Sequence, residues 1–355
     1  MRIPHQNPRY CVWELTLVCN MRCLHCGSYA GAQRDGEMST AQMLDVADQL
    51  ADLGVERLTL SGGEPLLRPD WDVIARRLLE RGVRLGMISN GFLMHQNLPR
   101  FLKLPPFEVV AMSVDGTREA HDAFRRVPGS FDRTVDAFRE LRRKRIRTAA
   151  ITSVSTLNLD QLDEIYELLS SLGVYAWQLQ TLFGGGRMRE RPDLQPKPAA
   201  MATLAQFIAR KRKERRTPLQ VFPADCIGYF TDLEEPLRGY RWKGCQAGLQ
   251  ALGVEANGNV KGCLSMCPEL FENNPYVEGN LQRERLADIW NRPGAFAYNR
   301  SFALPKVRGF CRKCPHLREC RCGCSAQAHF ATGSIYENPY CLYRLENETP
   351  SAATS

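Results

Sequence analysis

The fourteen cysteines constrain this chain more than any other feature, because they are not spread along it. Four lie between Cys11 and Cys26, none follows until Cys226, and ten fall between Cys226 and Cys341. The two ends therefore carry a chemistry that the middle lacks. At roughly 100–200 residues per domain, 355 residues predict about two domains with enough core to fold without disulfides. No apolar run approaches the ~20 residues of a membrane span. The polar start, Met1 to Tyr10, is not a secretory signal. These features place the chain in the cytoplasm, away from membranes, where thiols stay reduced and clustered cysteines bind metal.

Between the cysteine groups, strand-like and helix-like segments alternate. Val12 to Leu17, Val55 to Leu60, Val83 to Ser89, Glu108 to Val114, Thr148 to Val154 and Val174 to Gln180 read as strands. Ser39 and Gln42 form a capping box for a helix that stops at Gly54. Further helices are expected over Asp70 to Glu80, Phe131 to Lys144 and Ala199 to Arg212, and from a cap at Asn158 to Ser171. Six such units predict an α/β chain: a parallel sheet closed into a partial (β/α)6 TIM-like barrel, with functional residues in the loops after the strand ends. From about residue 217 the pattern changes. Leu249 to Val254, Asn257-Gly258 and the run from Val260 read as a hairpin, and Leu286 to Asn291 as a short helix. The rest is small helices, loops and cysteines, for which metal sites would supply cross-links. The expected limits are 1–216 for the barrel, 217–244 for a bridge and 245–355 for the cysteine-bound domain, whose polar tail from Glu346 frays.

The net charge of +8 comes largely from two stretches, Arg139 to Arg147 and Arg210 to Arg216, at the ends of helix-like segments. Cations there complement the helix dipole, and a docking surface for an acidic polypeptide is the alternative. No aromatic stacking motif accompanies them, so nucleic acid is not expected as a partner.

Cys19-x3-Cys23-x2-Cys26 follows the first strand. Three close thiolates suit iron or zinc. A [4Fe–4S] cluster takes four cysteines, so a set of three leaves one iron open to an outside ligand. Zinc sites favour two paired halves across a longer loop, and this triplet lacks the second half. Cys11 precedes the strand, at its opposite end and out of reach. His25 is read as a packing or hydrogen-bonding residue.

Placed after the first strand of a partial barrel, the triplet resembles that of the radical S-adenosylmethionine (SAM) superfamily. The resemblance implies that SAM chelates the open iron and is cleaved to methionine and a 5′-deoxyadenosyl radical. Ser61-Gly62-Gly63-Glu64-Pro65 is similar to the family's GGEP motif, which implies Gly62, Gly63, Glu64 and Pro65 as the pocket for the SAM ammonium. Ser89-Asn90-Gly91 ends the third strand. Ser113-Val114-Asp115-Gly116, with His121-Asp122 and Arg125, resembles the SxDG…HDxxR signature, in which Ser113 and Asp115 would meet the ribose or methionine end of SAM. Arg125 pairs either with the methionine carboxylate or with a loop carboxylate. By alternation, Ser153 and Gln178 or Gln180 point at the same mouth.

Cys245-x12-Gly258-x4-Cys263, then Cys311-x2-Cys314-x5-Cys320-x3-Cys324 and Cys341, is similar to the SPASM extension of these enzymes. That implies two auxiliary [4Fe–4S] clusters, three in all. Cys311, Cys314, Cys320 and Cys341 would hold the outer one, and Cys245, Cys263 and Cys324 the inner one. The inner cluster's fourth ligand is Cys226, Cys267, Cys322 or an open position. Cys322 otherwise reads as a bystander, and Cys267 as a structural thiol or a hydrogen-atom donor to a substrate radical. Structural zinc is the alternative for the CxxC portion.

Relatives in this group modify ribosomal precursor peptides, oxidise sulfatase side chains or make redox cofactors. Trp177 to Gln180, Gly244 to Gly248 and Asn338 to Cys341 look closest to the peptide maturases. The expected activity is therefore oxidative modification, by cross-linking, of a ribosomally made peptide. A protein side chain or a small-molecule redox cofactor precursor is the alternative substrate. A non-enzymatic iron–sulfur carrier is more remote, because it needs no SAM motifs. Expected partners are a precursor peptide with an acidic leader and a flavodoxin or ferredoxin as reductant. About ten residues before the first strand hold no winged-helix leader-recognition domain, so the expectation is that either a separate protein or the barrel and SPASM surfaces bind the leader.

Overall fold

The structure, a computed structural model, describes residues 1–214, 217–266 and 274–348. Seven strands lie side by side in chain order and parallel: β1 (Tyr10–Glu14), β2 (Arg57–Ser61), β3 (Arg84–Ser89), β4 (Val109–Ser113), β5 (Thr148–Val154), β6 (Ala176–Thr181) and β7 (Gln220–Pro223). Helices α1 (Thr40–Asp52), α2 (Trp71–Glu80), α3 (Met94–Phe101), α4 (Arg118–Arg125), α5 (Ser130–Arg143), α6 (Leu162–Leu172) and α7 (Ala200–Glu214) fall between them. The expected partial barrel is present, with one parallel strand more. β7 escapes notice because it has four residues and ends on a proline.

The helices form where apolar residues recur at helical spacing. On α1, Met43, Val46, Ala47 and Leu50 are buried, and on α2, Trp71, Ile74, Ala75 and Leu78. The capping box of Ser39 and Gln42 is formed. Asn158 precedes a short 3-10 turn, Leu159–Gln161, but its side chain makes no capping bond there. Its amide donates to the carbonyls of Asp115 (2.9 Å) and Ser153 (3.0 Å) and accepts from the Ser155 N–H (2.8 Å), tying together the loops after β4 and β5. Ala111, Ala149 and Ala176 of the neighbouring strands β4, β5 and β6 form a small buried cluster of their own.

β1 sits earlier than the apolar pattern predicts. Leu15 still donates to the Ser61 carbonyl of β2 at 2.9 Å, but the backbone then turns away, and Glu37 Oε1 accepts from the Leu17 N–H at 2.8 Å. Cys11 consequently lies within β1, buried and in register with Leu58 and Leu252, and burial pushes its thiol pKa up.

The tail returns to the same sheet. β8 (Ala251–Val254) pairs in parallel with β1, on the side away from β2. The expected Asn257-Gly258 turn leads to antiparallel β9 (Asn259–Lys261), with Gly258 at φ +87°. A third strand, β10 (Val277–Asn280), closes a sheet of ten. The sheet thus crosses the expected boundary at residue 245 without a break. Small helices α8 (Glu234–Arg238), α9 (Leu286–Asn291), α10 (Ala297–Arg300), α11 (Leu317–Cys320), α12 (Ser325–Thr332) and α13 (Leu342–Asn347) complete the tail. Among the described residues, no helix is long and apolar enough to cross a membrane.

One buried ion network clamps tail to barrel. Lys261 Nζ lies 2.5 Å from Glu255 and donates to the Met266 carbonyl at 3.0 Å. Arg34 reaches both Glu255 (3.5 Å) and Glu14 of β1 (2.6 Å). Replacing Lys261 by Met leaves Glu255 with only part of its positive partners. Unfolding stability should fall by roughly 3 kcal/mol, the low end for breaking a buried pair because Arg34 remains. Adding Glu255→Gln should recover part of that loss, read from denaturant unfolding midpoints.

Candidate active site

At the C-terminal ends of the strands lies a cavity of about 360 Å³. Cys19, Cys23 and Cys26 line it together with Gly62, Gly63, Ser89, Asn90, Ser113, Arg125 and Ser153, all expected there. Glu64, Pro65, Asp115 and Gln178 do not line it, whereas Gln180 does, donating to Ser153 Oγ at 3.1 Å. The tail contributes Leu264 and Ser265, next to Cys263, to the same wall.

The glycines are required by close backbone contact. A Cβ on Gly62 would strike the Thr16 carbonyl, and one on Gly63 the carbonyls of Leu17 and Val18. Those carbonyls belong to the segment that enters the cysteine loop. Gly63 and Glu64 donate their N–H groups to Thr16 (2.7 Å) and Val18 (2.8 Å). On the far side, Gly186 at φ +54° packs against the Cys26 carbonyl. Arg187 beside it donates to the carbonyls of Cys23 and Ala30, each at 2.9 Å. The sequence reading missed both residues, although the run Gly184-Gly185-Gly186 directly after β6 carried the signal.

Two acidic residues have roles other than those expected. The Glu64 carboxylate is fully buried and accepts from Ser89 Oγ (2.9 Å), the Asn90 N–H (2.8 Å) and the Leu66 N–H (3.2 Å). It holds the loop after β3 in place and does not face the cavity. Burial outweighs these bonds and raises its pKa to about 7. Pro65 opens the short turn that follows. Asp115 also faces inward: it accepts from the Ser153 N–H at 2.8 Å and pairs with Arg125. Burial would raise its pKa, but Arg125, His25 and His121 outweigh that and hold it below the usual range. Arg125 pairs with the Asp115 carboxylate, one of its two expected partners, and its guanidinium also reaches Cys23 Sγ at 3.6 Å. His25 stacks on Phe124 with ring centroids 4.2 Å apart, as a packing residue.

Cys19 and Cys23 resist ionisation unaided. Burial raises Cys19 to about 12 and also raises Cys23. Such thiols become thiolates when a metal takes the proton's place, so the donor set fits a cluster bound by Cys19, Cys23 and Cys26. Among the described residues, no three His, Cys, Asp or Glu side chains are spaced to hold a single ion. A cubane, whose irons are set apart by sulfides, needs a wider frame.

In the tail, Cys311, Cys314, Cys320 and Cys341 surround one small cavity of about 20 Å³, and Cys322 joins them. Cys322 therefore stands with the outer set and not the inner one. Cys245, Cys263 and Cys324 feel one another electrostatically, and Cys226 acts on Cys324 in the same way. The Cys226 sulfur accepts from the Thr181 N–H at 3.4 Å. Cys267 lies outside the described residues.

The Radical SAM superfamily model matches residues 13–169, and that of SPASM, an iron–sulfur cluster-binding domain, matches residues 245–315. The chain belongs to the radical SAM superfamily. It is 31% identical to the AdoMet-dependent heme synthase of Methanosarcina barkeri, over 95% of this chain and 97% of the other. It is 29% identical to the mycofactocin maturase MftC of Mycobacterium tuberculosis, over 92% and 80%. In fold it is similar to Streptococcus suis SuiB bound to S-adenosylmethionine, with a TM-score of 0.75, 16% identity, and 93% and 76% coverage. SuiB bound to its precursor peptide SuiA gives 0.73 at 15% identity, over 94% and 75%. The chain is thus an enzyme of the radical SAM/SPASM maturase type, and its two domain matches imply iron–sulfur clusters and SAM.

Two outcomes test this geometry. Gly186→Ala should push the Cys26 backbone aside, cost roughly 1–3 kcal/mol and speed alkylation of the Cys26 thiol in metal-free protein. His121 accepts the Asp115 N–H at 3.1 Å, and burial lowers its pKa from 6.5 to about 4. Folding therefore favours the neutral ring. Its contribution is full above pH 6.5 and is lost as pH falls toward 4. His121→Asn, which keeps an acceptor, should flatten that part of the curve of melting temperature against pH.

Proposed function

We propose that Cys19, Cys23 and Cys26 hold a [4Fe–4S] cluster and that SAM binds beside it, against Gly62, Gly63, Ser89, Asn90, Ser113, Arg125 and Ser153. The supporting observation is that all ten residues line one cavity at the strand ends. When bound, this cluster supplies the electron that cleaves SAM to a 5′-deoxyadenosyl radical, and clusters on Cys245, Cys263 and Cys324 and on Cys311, Cys314, Cys320 and Cys341 supply an acceptor for the electron released by substrate oxidation. The protein's own part is placement and shielding. Glu64 fixes the loop after β3, Asp115 holds Arg125 at the cavity wall, and Asn158 ties the loops after β4 and β5. Leu264 and Ser265, the residues that follow Cys263, form part of the wall of the same cavity.

For the substrate, we favour a small-molecule cofactor precursor of the heme-precursor tetrapyrrole class. The support is the identity of 31% to a heme synthase over nearly the whole of both chains. A ribosomal precursor peptide is the second reading, supported by the likeness to MftC, a mycofactocin maturase, and to SuiB, which is solved with its precursor peptide. Anaerobic incubation with SAM and dithionite, once with heme-precursor tetrapyrroles and once with peptides encoded beside the gene, separates the two by product mass. Modification of a peptide alone overturns the tetrapyrrole reading.

Reconstituted protein should bind about twelve irons per chain and form 5′-deoxyadenosine. Replacing Cys19, Cys23 and Cys26 together by Ala should reduce 5′-deoxyadenosine to background. Saturation near four irons, with zinc in the tail, would remove the auxiliary clusters from the scheme.

A further inference from the structure

Some exposed cations of this chain pair with a neighbouring acid, Arg81 and Arg118 among them, whereas others, including Arg143 and Lys144 at the end of α5, have no ion pair among the described residues. One unpaired group sits beside cysteines. Arg308, Arg312, Lys313 and Arg318 are all exposed, and among the described residues none has a side-chain hydrogen bond or an ion pair. They fall within the stretch that wraps the outer cysteine cavity: Cys311, Cys314 and Cys320 alternate with them in sequence. Nearby acids are engaged elsewhere or set apart. Glu319 pairs with Arg241 (3.1 Å) and Glu337 with Arg344 (3.1 Å), while Asp232 and Glu235 line a separate pocket beside His316.

The cysteine sets themselves run outward toward this segment. Cys263 adjoins the active cavity through Leu264 and Ser265. The Cys324 N–H donates to the Tyr229 hydroxyl at 3.0 Å, and Tyr229 also lines the outer cavity. Of the four outer cysteines, Cys311, Cys320 and Cys341 are buried and Cys314 is partly exposed. The outermost sulfur thus emerges among the unpaired cations. An uncompensated positive surface steers negative partners to one spot and loses that hold as salt rises.

We propose that Arg308, Arg312, Lys313 and Arg318 form the docking surface for an acidic one-electron carrier protein that, in its oxidised form, takes up the electron released by substrate oxidation. This rests on the radical oxidation proposed above. In each turnover the substrate radical loses one electron and one proton as its new bond forms. The proton passes to solvent, and the electron reduces one carrier molecule.

The test titrates an oxidised acidic [2Fe–2S] ferredoxin into reconstituted enzyme by calorimetry at low and high salt, with a basic cytochrome c as the control carrier. Arg308→Glu/Arg318→Glu is the first variant. Arg312→Glu/Lys313→Glu is the second, read together with its iron content because it flanks cysteines. Arg143→Glu/Lys144→Glu makes the same charge change at the end of α5. The expected result is a Kd weakened roughly tenfold or more in both tail variants and at high salt, with the α5 variant like wild type and no binding of cytochrome c. Wild-type affinity in both tail variants overturns the proposal, as does equal weakening in the α5 variant. Formation of 5′-deoxyadenosine with dithionite is scored separately. Its absence from wild type overturns the catalytic reading, whereas retained ferredoxin affinity in the tail variants overturns the docking.

Discussion

The site depends on a backbone-to-backbone contact that tolerates no side chain. Gly62 and Gly63, at the end of β2, lie against the carbonyls of residues 16–18, and two N–H groups of that turn bond to the same segment. The segment leads straight into Cys19. Because two peptide planes touch there, the start of the cysteine loop is set by the position of a sheet strand and not by a flexible side chain. Gly186 and Arg187 do the same from the opposite side, beneath Cys26 and Cys23. A loop with almost no regular structure is thereby held as firmly as the sheet around it. Metal ligands need that precision.

Around this frame, buried polar groups are spent on position and not on exposure to a ligand. Glu64, Asp115, His121 and Asn158 each satisfy two or more groups from a neighbouring loop, or orient a residue that does. Burial leaves His121 neutral near pH 7 and brings the Glu64 pKa to about 7. The cavity wall carries hydroxyls, two side-chain amides, glycine backbone and three guanidinium groups, Arg34, Arg125 and Arg187, and its two carboxylates, Glu14 and Glu255, are paired with Arg34.

The tail is joined to the barrel at the strand that carries this chemistry. β8 extends the sheet from β1, and Lys261, Glu255, Arg34 and Glu14 form a chain of buried charges from the tail to the first strand. Cys263 lies two residues past Lys261. The network that stabilises the joint therefore lies close in sequence to one of the inner tail cysteines. It couples the stability of the two halves.

The sequence by itself determined the alternating architecture, the three cysteine groups and most of the cavity wall. Strand periodicity, cysteine spacing and glycine pairs are local patterns, readable wherever the fold places them. Tertiary structure alone decided which way the side chains of those motifs turn. Glu64 and Asp115 belong to recognisable motifs, but local spacing does not reveal that Ser89, Asn90 and Arg125 satisfy them first. Cys226, one strand away from its sequence neighbours' cluster, and Cys322, between two ligands of different sets, could be placed only once the chain had closed. The same holds for the Gly186 contact with Cys26 and for β8 on β1. Each joins residues more than 150 positions apart, a separation over which no periodic signal survives and only packing decides.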